Sequence, residues 1–169
     1  FSPEIDQMYV GTIHGFCYHL LNKYTEQFRE YNILDTVKSH LFVARYCGEC
    51  GMSDLKLEPY PRNIQLFLQC IDKMIDDFDN SDAWTDEQRT VLNKYIKCLY
   101  DHKYIDFALM IFETLRQIKS DPDIREYLSE IKYLVVDEYQ DVNDLQEKLI
   151  SCIAEMGANI CVVGDDDQT

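Results

Sequence analysis

The chain has 169 residues, 46% of them hydrophobic, and a formal net charge of −15. That is enough for one domain or one and a half with a real core, and no apolar run is long enough to span a bilayer. The charge has the wrong sign for a simple nucleic-acid binder. Seven scattered cysteines, an odd set, point to reduced thiols in a cytosol and not to a disulfide framework. The first residues, Phe1-Ser2-Pro3-Glu4, lack the basic start of a secretory leader.

Residues 8–13 read as a strand, with Thr12 or His14 beginning the turn into a helix. Phe16, Cys17, Leu20, Leu21, Tyr24 and Phe28 then recur at helical spacing on one apolar face. By residue type alone, Thr12 is an N-cap and His14 a structural histidine.

Residues 31–102 read as a separate helical module. Asp35 caps a helix with Val37, Leu41, Phe42 and Ala44 inward. Pro61 suits the first turn of a second helix, whose Ile64, Phe67, Leu68, Ile71, Met74, Ile75 and Phe78 form a continuous stripe. The run Asp76 to Asp82 is a solvated loop, because it lacks the central glycine and closing glutamate of a calcium loop. Thr85-Asp86-Glu87-Gln88 is a capping box that opens a helix with Val91, Leu92, Tyr95, Ile96 and Leu99 on its apolar face. Cys47-Gly48-Glu49-Cys50 offers one close cysteine pair without a second; His40 and Cys70 are irregular partners, and a helix end with a turn is the simpler reading.

A further helix spans 104–118, with Phe107, Met110, Ile111, Leu115 and Ile118 on its apolar face. Asp121-Pro122 supplies a cap and a first-turn proline for a short helix through about Leu128. Tyr133-Leu134-Val135-Val136 follows, and it runs out into Asp137-Glu138. Apolar residues without alternation suit a strand buried on both faces of a parallel sheet. Ligands of open α/β sheets sit at the carboxyl ends of such strands. Two carboxylates there can share the chemistry between them. The first holds magnesium through water, and the second orients and deprotonates an attacking water. Asp141 or Asn143 can cap the helix from about Asn143 to Met156, so Asp137 and Glu138 have no capping duty. That helix buries Leu145, Leu149, Ile150 and Ile153, and Gly157 ends it. The pattern then repeats in Ile160-Cys161-Val162-Val163 and Gly164-Asp165-Asp166-Asp167-Gln168.

The stretches Leu134 to Asn143 and Val162 to Gln168 resemble motifs II and III of the UvrD/Rep-like superfamily 1 helicases. Gly11-Thr12-Ile13-His14-Gly15-Phe16-Cys17 is similar to the family's motif Ic. Ile13 stands where an aromatic is usual, Gly15 where serine is, and His19 where arginine is, which weakens a phosphate contact. The resemblance is strong over about 1–24 and 103–169.

It implies an α/β, mostly helical chain: part of a RecA-like P-loop NTPase domain with a small parallel sheet. Residues 1–30 and 103–169 would belong to domain 1A, and 31–102 to an inserted, all-helical 1B subdomain. It further implies that Asp137 serves Mg2+ through water, that Glu138 activates water, that Gln168 senses the γ-phosphate of ATP, and that Thr12 and His14 lie against single-stranded DNA. The parent would be an ATP-dependent 3′ to 5′ DNA helicase of a bacterial cytoplasm, in repair or replication, with single-stranded and duplex DNA and the rest of its own chain as partners.

No Gly-Lys-Ser/Thr occurs in the sequence, so the P-loop is missing, and the isolated chain is expected to be inactive. Residues 103–169 carry 6 basic against 15 acidic groups, which argues against tight DNA binding by this piece alone. A helicase subunit of a helicase–nuclease complex and a non-catalytic acidic interaction module are the alternatives. The strands at about 8–13, 133–136 and 160–163 are expected to lie parallel in one sheet. The bare edge of 160–163 is expected to promote self-association or to be covered.

Overall fold

The structure, a computed structural model, describes residues 8–165. Among them, helices dominate and two small parallel sheets are present. No described helix is long and apolar enough to cross a membrane. The chain divides into two compact units, one spanning Glu30–Phe112 and the other formed by residues up to Arg29 together with those from Glu113 onward.

Within Glu30–Phe112, strand β1 (Asn32–Leu34) precedes helix α2 (Thr36–Tyr46). Asp35 caps α2 through its carboxylate, which accepts from the Lys38 N–H at 2.9 Å. The buried face of α2 is Ser39, Phe42 and Val43, whereas Val37, Leu41 and Ala44 face solvent. The expected face is therefore turned by about one position. It is set by Phe42 and Tyr46, whose rings lie 4.8 Å apart one turn from each other.

Helix α3 (Pro61–Asp76) starts on its proline and buries Ile64, Phe67, Leu68, Ile71 and Ile75, the core of the expected stripe. Phe78 leaves it at a 3-10 turn, Phe78–Ala83, and packs edge-on against Trp84 and Phe112. Helix α4 (Asp86–Asp101) opens with both halves of the Thr85–Gln88 capping box and buries Val91, Leu92, Tyr95, Cys98 and Leu99.

Strand β2 (Tyr104–Asp106) comes next, so the helix expected from residue 104 starts only at Phe107, as α5 (Phe107–Ser120). β2 pairs parallel with β1, Ile33 opposite Ile105, so the stretch 31–102 is not all-helical as expected: it contains β1, a strand too short to show a period of its own. Its last residue, Asp106, is buried and accepts from the Tyr95 hydroxyl at 2.6 Å and from the Leu109 N–H at 2.8 Å. Burial of that carboxyl pushes its pKa up.

In the other unit, α1 (Ile13–Tyr24) buries Cys17, Leu20 and Leu21, and Phe28 is buried in the 3-10 turn that follows. Residues Met8–Val10 form no strand. Instead the Tyr9 ring packs edge-on against Phe16 at 5.3 Å and near His19 at 6.2 Å. Its hydroxyl covers Gly15, where an added Cβ would come within 2.8 Å of it. The segment thus folds back on α1, and a serine at position 15 would displace the ring.

Helix α6 (Pro122–Ser129) takes its cap from Asp121 and buries Ile124 and Leu128. Strand β3 (Tyr133–Val136), helix α7 (Asp144–Glu155) and strand β4 (Asn159–Val162) then form a β–α–β unit. α7 is capped by Asn143, with a capping box to Gln146, and buries Leu145, Leu149, Ile150 and Ile153. Gly157, at φ 109°, ends it in the left-handed conformation that glycine adopts without cost.

β3 and β4 are parallel, Leu134 opposite Ile160 and Val136 opposite Val162. The expectation of a strand buried on both faces fails for β3. Tyr133 is 76% and Val135 67% exposed, and Cys161 and Val163 are exposed as well. On the other face Val136 is buried, while its cross-strand partner Val162 is itself exposed.

Candidate functional site

The β3–β4 ladder continues beyond the strands and draws their acidic ends together. The Val163 N–H donates to Val136 O at 2.8 Å, and the Tyr139 N–H donates back to Val163 O at 3.0 Å. Asp137 and Glu138 emerge between these two bonds, both exposed to solvent. The Asp137 carboxylate accepts from the Glu138 N–H at 3.0 Å. Glu138 itself sits at φ 51°, ψ 45°, a left-handed conformation that costs a non-glycine residue about 1–2 kcal/mol. A glutamate kept there is held by its surroundings.

Backbone bonds on either side hold it, from the Tyr139 N–H to Val163 O at 3.0 Å and from the Asp141 N–H to Glu138 O at 2.9 Å, and its carboxylate is met by Gln140. Its side-chain amide donates to Glu138 Oε2 at 2.5 Å, and its carbonyl oxygen accepts from the Asp165 N–H at 3.2 Å. One side chain thus ties the end of β3 to the loop after β4. The approach is close enough that a Cβ on Gly164 would come within 2.7 Å of Gln140 Oε1. Tyr139 points elsewhere, and its hydroxyl donates to Glu147 on α7 at 3.3 Å. The bridging role of Gln140 is not legible in the sequence. Its only signal there is a long amide two residues after the glutamate.

A Gly164→Ala substitution is expected to swing the Gln140 amide away. The displaced atom is the tip of a flexible side chain, so thermal stability should change by less than about 0.5 kcal/mol. The Glu138–Gln140–Asp165 link should break. Amide-proton exchange at Asp165 in this chain checks it: faster exchange with an unchanged melting temperature is the expected pair of results.

Asp165 closes the described part of the second acidic run. Asp166, Asp167 and Gln168 lie outside the described residues, and of these it was Gln168 that was expected to sense the γ-phosphate. Thr12 and His14 sit at the start of α1. The Thr12 hydroxyl accepts from the Gly15 N–H at 3.0 Å as the N-cap of that helix, and it is exposed. His14 is half-buried, and burial lowers its pKa. Cys17, one turn further on, is buried, and its thiol pKa is pushed up to about 12, which makes it inert.

Asp137 fits a hydrated divalent ion on donor chemistry. It is an exposed carboxylate at a strand end, and magnesium keeps most of its waters and needs only one or two protein carboxylates.

A parallel β–α–β unit with carboxylates at the strand ends places the chain in the α/β class, whose ligands are met at that rim. A family model for the UvrD/REP helicase N-terminal domain matches residues 2–169, and the chain belongs to that family. It is 28% identical over 177 residues to the ATP-dependent DNA helicase PcrA of Bacillus subtilis, an alignment that takes in 99% of this chain and 24% of that relative. Helicases of the same name from Staphylococcus aureus and Staphylococcus epidermidis are 24% identical over 180 residues, again 99% of this chain and 24% of theirs. The chain spans about a quarter of the length of these relatives.

Proposed function

We propose that this chain is part of the motor of an ATP-dependent DNA helicase and carries the acid pair that prepares water for attack on ATP. The observation that carries the reading is the bridged rim, with Glu138 fixed by Gln140 to the loop after the neighbouring parallel strand. The relatives' names support the same activity.

In this reading, residues 1–30 and 103–169 belong to the RecA-like domain 1A, and 31–102 to the inserted helical 1B subdomain. Asp137 would hold Mg2+ through water, and the bound ion would neutralise charge on the β- and γ-phosphates. Glu138 orients and deprotonates the attacking water. Gln140 keeps that carboxylate at a fixed height above the sheet, and Gln168 answers the γ-phosphate. Thr12 and His14 lie along single-stranded DNA, and translocation runs 3′ to 5′. The chain alone does not hydrolyse ATP, because it has no Gly-Lys-Ser/Thr loop to cradle the phosphates. Self-association of the isolated chain through the open edge of β4 belongs to the same reading, and sedimentation over a concentration series tests it.

DNA-stimulated ATP hydrolysis and strand separation by the full-length protein test the function as a whole. Thr12 needs a finer test, since it also caps α1. Thr12→Ala should cost about 1 kcal/mol of stability by losing the cap and should weaken single-stranded DNA binding. Thr12→Ser keeps the capping hydroxyl, so it should restore stability. His14→Ala should weaken DNA binding without touching the cap. Fluorescence anisotropy with a labelled oligonucleotide reads this out. Unchanged affinity in Thr12→Ala and His14→Ala alike would return both residues to a structural role.

A further inference from the structure

The Cys47-Gly48-Glu49-Cys50 turn has partners that its spacing did not reveal. His40 places Nδ1 2.8 Å from its own helix at Thr36 O, and Cys70 is exposed on α3. The turn meets the end of α4 instead. Glu49 Oε2 lies 3.1 Å from His102 Nε2, and the Cys98 sulfur joins them, the three donor atoms all within 4.8 Å of one another. Cys98 and His102 are one helical turn apart, and the His102 N–H donates to Cys98 O at 3.2 Å, so the helix itself sets their separation. Among the described residues this is the one group of three such donors that comes so close.

We propose that Glu49, Cys98 and His102 form a zinc site that clasps the Cys47–Cys50 turn to the end of α4. The donor set is one sulfur, one imidazole nitrogen and one carboxylate oxygen, which suits a borderline-soft ion with no geometric preference of its own. In a tetrahedral zinc site neighbouring donors lie roughly 3.3–3.8 Å apart, as follows from bonds of about 2.0–2.3 Å. The Glu49–His102 pair is already near that separation, so small side-chain rotations gather the third donor.

Three features support the ligands. The His102 ring lies against Tyr46, with centroids 4.0 Å apart and planes inclined by 32°, and Phe42 meets it edge-on at 5.8 Å. These contacts fix the direction of the imidazole. The Cys50 thiol donates to the Cys98 sulfur at 3.5 Å, which steadies Cys98 as an acceptor. The end of α4 adds carbonyl dipoles that favour a cation. Glu49 is exposed and the His102 side chain is 29% accessible, so water has access to a fourth position. Zinc here would join a turn to a helix end and needs no catalytic role.

The test titrates this chain, reduced and metal-free, with Co2+ as a spectroscopic probe and then with Zn2+. One equivalent of Co2+ should give visible d–d bands and a near-ultraviolet sulfur-to-cobalt charge-transfer band, and Zn2+ should displace it. Cys98→Ser should abolish the charge-transfer band, while Cys50→Ser and Cys70→Ser keep it. Glu49→Gln is an exposed change that leaves folding intact, and it should weaken zinc at least about tenfold. Zinc should raise the melting temperature of the wild-type chain and not that of Cys98→Ser. A wild-type chain without the charge-transfer band overturns the proposal. So does a band that survives Cys98→Ser, or zinc affinity unmoved in Glu49→Gln. Oxidation of Cys50 and Cys98 to a disulfide, with no metal bound before it, would overturn it too and assign the pair to redox chemistry.

Discussion

Glu138→Gln in the full-length protein is expected to lower ATP turnover by about 10²–10⁴-fold while leaving nucleotide binding nearly unchanged. The magnitude is that of losing a general base. The separation of the two effects follows from the site. Glutamine has the same length, and its carbonyl oxygen can still accept from the Gln140 amide that now donates to Glu138 Oε2 at 2.5 Å. The main-chain bonds that flank the left-handed position 138 are untouched, and so is the rim that the Asp165 N–H closes through Gln140. What is lost is the ability to take a proton from water. Single-turnover ATPase kinetics alongside nucleotide-binding measurements read the two effects apart. Wild-type turnover in this variant would remove Glu138 from the role of base. A matched loss of binding and turnover would mean that it positions nucleotide.

Tyr95→Phe is expected to destabilise the Glu30–Phe112 unit by about 1–3 kcal/mol, the cost of leaving a buried polar group short of a hydrogen-bond partner. Tyr95 is fully buried, and its hydroxyl donates to the buried Asp106 carboxylate. Phenylalanine fills the same ring volume, so the loss is that of the hydrogen bond and not of packing. The Asp106 carboxylate keeps the Leu109 N–H alone.

The effect depends on pH in a definite direction. Desolvation raises the Asp106 pKa in the folded state, whereas the hydrogen bonds from Tyr95 and Leu109 lower it. A carboxyl whose folded pKa lies above its unfolded value favours the folded state while protonated, and that contribution is lost as pH rises through the folded pKa. Removing the Tyr95 hydroxyl raises that pKa further. Tyr95→Phe should therefore cost more at pH 8 than near pH 4, where Asp106 is closer to neutral. Urea unfolding of both chains at the two pH values measures the difference. An equal cost at both would show that the charge on Asp106 in the folded protein does not change between those pH values.

Local signals were enough wherever the determining groups lie within a turn of one another. Asp35, Thr85, Asp121 and Asn143 cap the helices they precede, because each cap is a bond to an amide two or three residues on. The buried face of α7 follows from its own periodicity. The parallel pairing of β3 with β4 and the side-by-side acidic ends follow from two apolar runs joined by one helix.

Only the tertiary structure decided the rest. A three-residue strand has too few residues to show alternation, so β1 and β2 exist through pairing across a long stretch of sequence. Residues 8–13 carry strand-like composition, but among the described residues no strand pairs with them, and the Tyr9 ring lies against Phe16 instead. The face of α2 was settled by which aromatic found a partner. Gln140 and Asp165, like Glu49 and His102, are far apart in the chain and meet only once the helices and strands between them have packed. Chemistry that depends on such meetings leaves no spacing in the sequence, because the distances that matter are set by non-local burial and not by the chain's own repeat.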